Sequence, residues 1–180
     1  MLRIFCMLGL LVLGAPIGHA DMVIDDFSST TLGTRASAVF PGTVTTTGSY
    51  DATGFAFAQL EYTFDESVDF SPSSVIALED FASDGSGTIS LIAKSASGNV
   101  TTTAEFTDAT SGRLAFGFEP GELSAVDSLT FNLQSDPFGS QIDLSFSSVQ
   151  AVPEPTSIAL VSLAGLGGLA VRRRRKLASA

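Results

Sequence analysis

Phenylalanine and leucine recur at every second position along much of this chain, and that period limits the folds open to it. Leu114, Phe116 and Phe118 alternate with small or polar residues, as do Leu129, Phe131 and Leu133, and Ile142, Leu144 and Phe146. Across residues 55–64, Phe55, Phe57 and Gln59 oppose Ala56, Ala58 and Leu60, and Tyr62 and Phe64 share the second set. Successive side chains of a strand point to opposite faces, so each run predicts a strand with one apolar face. Gly/Ser/Asp clusters at 83–87, 97–99 and 108–112 are turn formers, and they cut residues 88–118 into three strands expected to form a meander. No stretch between 21 and 151 carries a helical period, and its Thr, Ser, Val and Phe content suits sheet. The expected fold is all-β: a single antiparallel β-sandwich, jelly-roll-like, of about eight or nine strands, with thirteen phenylalanines filling its core.

The two ends are of another kind. Arg3, an apolar run over 4–15, Pro16 and the small-residue ending Gly18-His19-Ala20 form an export signal, cut between Ala20 and Asp21 by a signal peptidase. Cys6 lies inside that signal, with no small-residue box before it that would mark a lipoprotein. At the other end Pro153 and Pro155 flank Glu154. Two prolines remove two backbone donors and fix two φ angles, so Val152 to Pro155 is expected to be an extended, exposed joint that no strand or helix continues through. Residues 156–171 carry no charge. As a helix they reach about 24 Å, slightly short of a hydrocarbon core of about 30 Å, a gap that snorkelling cations fill. Arg172, Arg173, Arg174, Arg175 and Lys176 then hold that end in the cytoplasm, with the domain on the far side of the inner membrane. The chain thus divides into a signal peptide (1–20), an exported domain (21–151) and a tail (152–180), the tail comprising a joint (152–156), a transmembrane helix (157–171) and a basic cluster (172–176).

Val152-Pro153-Glu154-Pro155, the uncharged run and the terminal arginine cluster resemble, in order and spacing, the tripartite PEP-CTERM sorting signal of bacterial exosortase substrates. The resemblance covers residues 152–180. It implies recognition, and cleavage near Pro153-Glu154-Pro155, by an integral-membrane exosortase in bacteria that make exopolysaccharide or biofilm matrix. It implies nothing about the domain in front of the signal.

That domain has eighteen acids against Arg35, Lys94 and Arg113, a formal charge of 3 − 18 = −15. Nucleic acid and anionic lipid are poor partners for it, and self-association is disfavoured. With Cys6 and His19 in the signal it contains neither cysteine nor histidine, which excludes Ser-His-Asp and Cys-His catalysis and His or Cys zinc sites. Carboxylate pairs remain for an alternative reading as a small glycan-active enzyme: Glu61 with Asp65 or Glu66, or Glu119 with Glu122. Calcium suits so many hard oxygen ligands outside the cell, and Asp25, Asp26 and Asp143 are its candidate ligands, on a first and a last strand expected to lie side by side. Val23-Ile24-Asp25-Asp26-Phe27 and Ile142-Asp143-Leu144-Ser145-Phe146 also resemble the opening and closing strands of jelly-roll carbohydrate-binding domains, which implies a structural calcium site lined by such acids. Sugar binding needs aromatic platforms. Tyr62 shares the apolar face of its strand, whereas Tyr50 follows Gly48-Ser49 in an expected loop and is the candidate glycan contact. The expected role is a non-enzymatic envelope or matrix protein, structural or associated with exopolysaccharide.

Overall fold

A computed structural model describes residues 21–28 and 31–153. The expected signal peptide, Glu154, Pro155, the apolar run expected to span the membrane and the basic cluster lie outside the described residues. Among the described residues no helix is long and apolar enough to cross a membrane.

Among the described residues twelve strands form two sheets, and every pairing between them is antiparallel. The first sheet contains β1 (Met22–Asp25), β12 (Ser148–Pro153), β6 (Ser73–Ser83), β11 (Ile142–Phe146), β4 (Tyr50–Phe55) and β3 (Thr43–Thr45) in that order, with β9 (Ser111–Gly117) also on β6. The second runs β2 (Thr34–Phe40), β5 (Phe57–Val68), β10 (Val126–Asp136), β7 (Ser86–Ser95), β8 (Gly98–Phe106). Alternation builds the core between them: Leu129, Phe131 and Leu133 of β10 are buried beside Ala58, Leu60, Tyr62 and Phe64 of β5 and Ile89, Leu91 and Ala93 of β7. Aromatic edges join the layers. Phe116 of β9 meets Phe131 of β10 at 5.7 Å, and Phe81 of β6 meets Phe106 of β8 at 5.3 Å. At about 1.5–3 kcal/mol for each fully buried large apolar side chain, these rings dominate what holds the sandwich together.

The sandwich matches the expected class, but several local expectations change. Ten phenylalanines are buried, whereas Phe40, Phe57 and Phe138 are exposed. Residues 55–64 are not one strand. Phe55 ends β4 pointing into the core, the chain bends at Ala56 into the other sheet, and Phe57 opens β5 on its outer surface. The meander is a single hairpin: β7 and β8 pair, but β9 crosses to β6 in the opposite sheet. Residues 142–146 are not the last strand, because β12 follows. It runs through the expected joint, with Val152 opposite Val75 and Pro153 opposite Ser73, so the sheet extends two residues past Ala151.

Candidate functional site

The outer face of the second sheet is a regular grid. Residues pointing away from the core fall into cross-strand rows: Ala38, Gln59, Asn132, Ser90 and Thr103 in one, and Ala36, Glu61, Thr130, Ile92 and Thr101 in the next. The Gln59 side-chain amide donates to Asn132 Oδ1 at 3.1 Å, which leaves the remaining amide groups and the flanking hydroxyls for an outside partner. A third row sets Phe40 directly opposite Phe57, followed by Gln134 and Thr88. Opposed Cβ atoms in a ladder lie about 4.5–5.5 Å apart, so the two residues offer adjacent aromatic surfaces on this face. Phe40 is 76% and Phe57 38% exposed. Phe138, 74% exposed, stands two residues beyond the end of β10, at the same end of the sheet. The register is unbroken from Leu129 to Gln134 on both sides of β10, so no bulge interrupts the rows there.

A second surface lies on the outer face of the first sheet, where Asp51, Thr53, Ala82, Ser83, Asp84, Asp143 and Ser145 line an open groove of about 340 Å³. Two of its carboxylates hold backbone and one a side-chain hydroxyl. Asp143 Oδ1 accepts the Gly54 N–H at 2.7 Å, Asp84 Oδ1 accepts the Asp143 N–H at 2.6 Å, and Asp51 accepts the Ser49 hydroxyl.

The sequence-derived site residues separate on this scaffold. Asp25 is buried, and its carboxylate takes the Phe27 N–H at 2.7 Å, Arg35 Nη1 at 2.5 Å and the Tyr62 hydroxyl at 3.1 Å. It joins β1 of one sheet to β2 and β5 of the other. Asp26 Oδ1 accepts the Ser28 N–H in the following turn. β11 and β12 run end to end along one edge of β6, and Asp25 stands opposite Val149 of β12, six residues and about 20 Å along that edge from Asp143, so the three carboxylates do not converge as expected. Among the described residues no three His, Cys, Asp or Glu side chains are grouped to hold a metal. Tyr50 is fully buried, stacked on Phe146 at 4.8 Å, and offers no platform for a sugar. It opens β4 with its side chain on the core face, where a loop was expected. Burial raises the pKa of both tyrosines, and for Tyr62 the negative charge of Asp25 adds to the effect. Of the enzyme pairs, Glu122 accepts the Glu119 N–H in an exposed turn, and Asp65 stands four residues along β5 from Glu61, their Cα atoms about 13 Å apart. Sequence alternation carried no sign of Phe40, because β2 has small exposed residues on its outer side and only Val39 packed against the core.

A family model described as the PEP-CTERM protein-sorting motif matches residues 151–175. The chain carries a PEP-CTERM sorting motif. It is therefore an exported protein, sorted to the envelope or beyond by an exosortase. No curated protein matches the sequence. Among solved structures the PEP-CTERM chain is similar to an exo-beta-agarase (12% identity, TM-score 0.53, 76% of this chain and 25% of that one) and to another agarase (8%, 0.53, 74% and 25%). It is also similar to the family 11 carbohydrate-binding module of a Clostridium thermocellum cellulase (14%, 0.48, 74% and 95%). The chain spans about a quarter of the agarases it matches, and at these identities the likeness shows the sandwich fold alone.

Proposed function

We propose that the mature PEP-CTERM chain is a non-catalytic envelope or matrix protein that associates with a neutral polysaccharide through the outer face of its second sheet. The observation that carries this reading is the Phe40–Phe57 platform set in register beside the Gln59–Asn132 amide pair. A pyranose has an apolar face that packs on an aromatic ring and equatorial hydroxyls that bond to amides, and the grid supplies both at strand spacing. Charge selects among glycans. A domain near −15 repels acidic polymers, while the rows themselves hold few charges, which suits a neutral chain. The fold shared with agarase and carbohydrate-binding-module structures is in keeping with this role, as is sorting by exosortase in cells that export polysaccharide.

Electrophoresis of the exported protein through gels containing a neutral galactan, a neutral glucan or alginate tests it. Retardation by a neutral polymer, weakened about tenfold for each ring removed in Phe40→Ala and Phe57→Ala with unchanged melting temperature, is expected. Equal retardation of wild type and double variant, or preference for alginate, overturns the reading.

A further inference from the structure

Among the described residues five strands have a single neighbour: β1, β3 and β9 in the first sheet, β2 and β8 in the second. An open strand edge presents unpaired N–H and C=O groups, and proteins normally blunt it with short length, bulges, proline or cations. Four of the five are blunted. β1 and β3 span four and three residues, and β1 has a register shift between Val23 and Asp25. β9 carries Gly112 at φ 90°, the exposed Arg113 and a register shift against β6. β2 runs directly into Pro41. β8 has no such device along its length, its positive-φ glycine, Gly98, being its first residue. Its nine residues, Gly-Asn-Val-Thr-Thr-Thr-Ala-Glu-Phe, lack proline and cations, and all nine pair with β7 without a shift. Its Val100 and Ala104 are only partly buried against the core.

We infer that two copies of this chain pair through β8, antiparallel about a two-fold axis at Thr102, to make one continuous ten-stranded sheet. The sequence of the strand selects this register. Opposed residues in an antiparallel ladder share a face, so Asn99, Thr101, Thr103 and Glu105, which are exposed, must meet one another and not the half-buried set. Centring on Thr102 keeps all nine pairs and sets Thr101 against Thr103, Val100 against Ala104, and Asn99 against Glu105. The amide of Asn99 then donates to the carboxylate of Glu105 at each end, and the two glutamates, the only charges on the strand, lie at opposite ends of the seam. Shifting the centre by one residue loses a pair from each end and breaks that match. Repulsion between two acidic domains opposes the contact at long range, so association strengthens as salt shortens the Debye length to about 8 Å near 0.15 M.

The full-length chain in detergent, with Cys6→Ala removing its one native thiol, is the test material. Thr101→Cys and Thr103→Cys chains carrying different tags are mixed and oxidised. A disulfide between unlike chains is expected, with at least about tenfold less between like chains, because diagonal partners lie about 7–8 Å apart, too far to bridge. Sedimentation should give a dimer that T101K/T103K weakens about tenfold or more, since four lysines then crowd the axis. Three results overturn the inference: no dimer at any salt, a dimer unmoved by T101K/T103K (association through the apolar tail), or a ladder of higher multimers (β8 pairing with β2).

Discussion

Two tyrosines lie fully buried in the same core, yet their hydroxyls stand in opposite situations. Tyr62 donates to Asp25, which also holds Arg35, while Arg35 lies 5.0 Å over the Phe27 ring and donates to the Thr46 carbonyl at 3.2 Å. Among the described residues the buried Tyr50 hydroxyl has no hydrogen-bond partner. Removing an unsatisfied polar atom restores its desolvation cost, whereas removing one member of a satisfied network strands the rest. Tyr50→Phe should therefore be neutral or stabilising in urea unfolding and leave polysaccharide retention unchanged. Tyr62→Phe should cost about 1 kcal/mol, and Asp25→Ala about 3 kcal/mol because it leaves Arg35 part-buried and unpaired. The raised tyrosine pKa values fix the alkaline response. The folded protein keeps both phenols neutral while the unfolded chain ionises them near pH 10, so their contribution is complete below pH 10 and is lost as pH rises above it. Wild type should lose stability above about pH 10 more steeply than Tyr62→Phe, as urea midpoints across that range would reveal.

At the scale of the strand, regular alternation was legible and interruptions were not. The buried sets of β5, β10 and β11 stand in the sequence as alternating apolar residues, and their periodicity names the sheet class. β6 hides because its buried side chains run Ile76, Leu78, then Phe81, with a phase break at Asp80, whose φ is 51°. The partner breaks in step. Ile142, Leu144 and Phe146 give way to Val149 and Ala151 across Ser147, which donates to Asp80 Oδ2 at 2.7 Å. Paired bulges of this kind bend both strands together, and a two-residue period cannot announce them. The exposed phenylalanine platform was illegible for a related reason: Phe57 stands in phase with Phe55 until the bend at Ala56 sends them into different sheets. Asp tolerates the left-handed region where β-branched residues do not. Asp80→Val should thus lower the unfolding free energy by about 1–3 kcal/mol, with Asp80→Gly closer to neutral. An equal loss in both would show that the hydrogen bond from Ser147, and not the backbone, sets the position.

For the whole molecule, charge and sorting separate along the sequence. Nearly all the acids lie in the folded domain and most cations in the tail, so the signal that localises the chain is electrostatically foreign to what it delivers. The sheet runs through Val152 and Pro153, and Glu154 is the carboxylate of the motif that the family model matches. Glu154→Ala should accordingly alter maturation in the host without changing the domain's melting temperature, as mass determination of the exported form would show. Calcium is where charge at this scale and geometry at the residue scale disagree. A domain near −15 repels itself, and any cation that screens it favours the compact state. A specific site needs several oxygens converging, and Asp25, already paired with Arg35 and hydrogen-bonded by Tyr62, stands opposite Val149, six residues along the strand from Asp143. Screening depends on ionic strength and valence alone, whereas a true site distinguishes calcium from the smaller, more strictly octahedral magnesium. The melting temperature should therefore rise smoothly and equally with calcium and magnesium chloride at matched ionic strength, and Asp143→Ala should leave both curves unchanged. A saturating, calcium-only rise at millimolar concentration would reveal carboxylates that move together on binding.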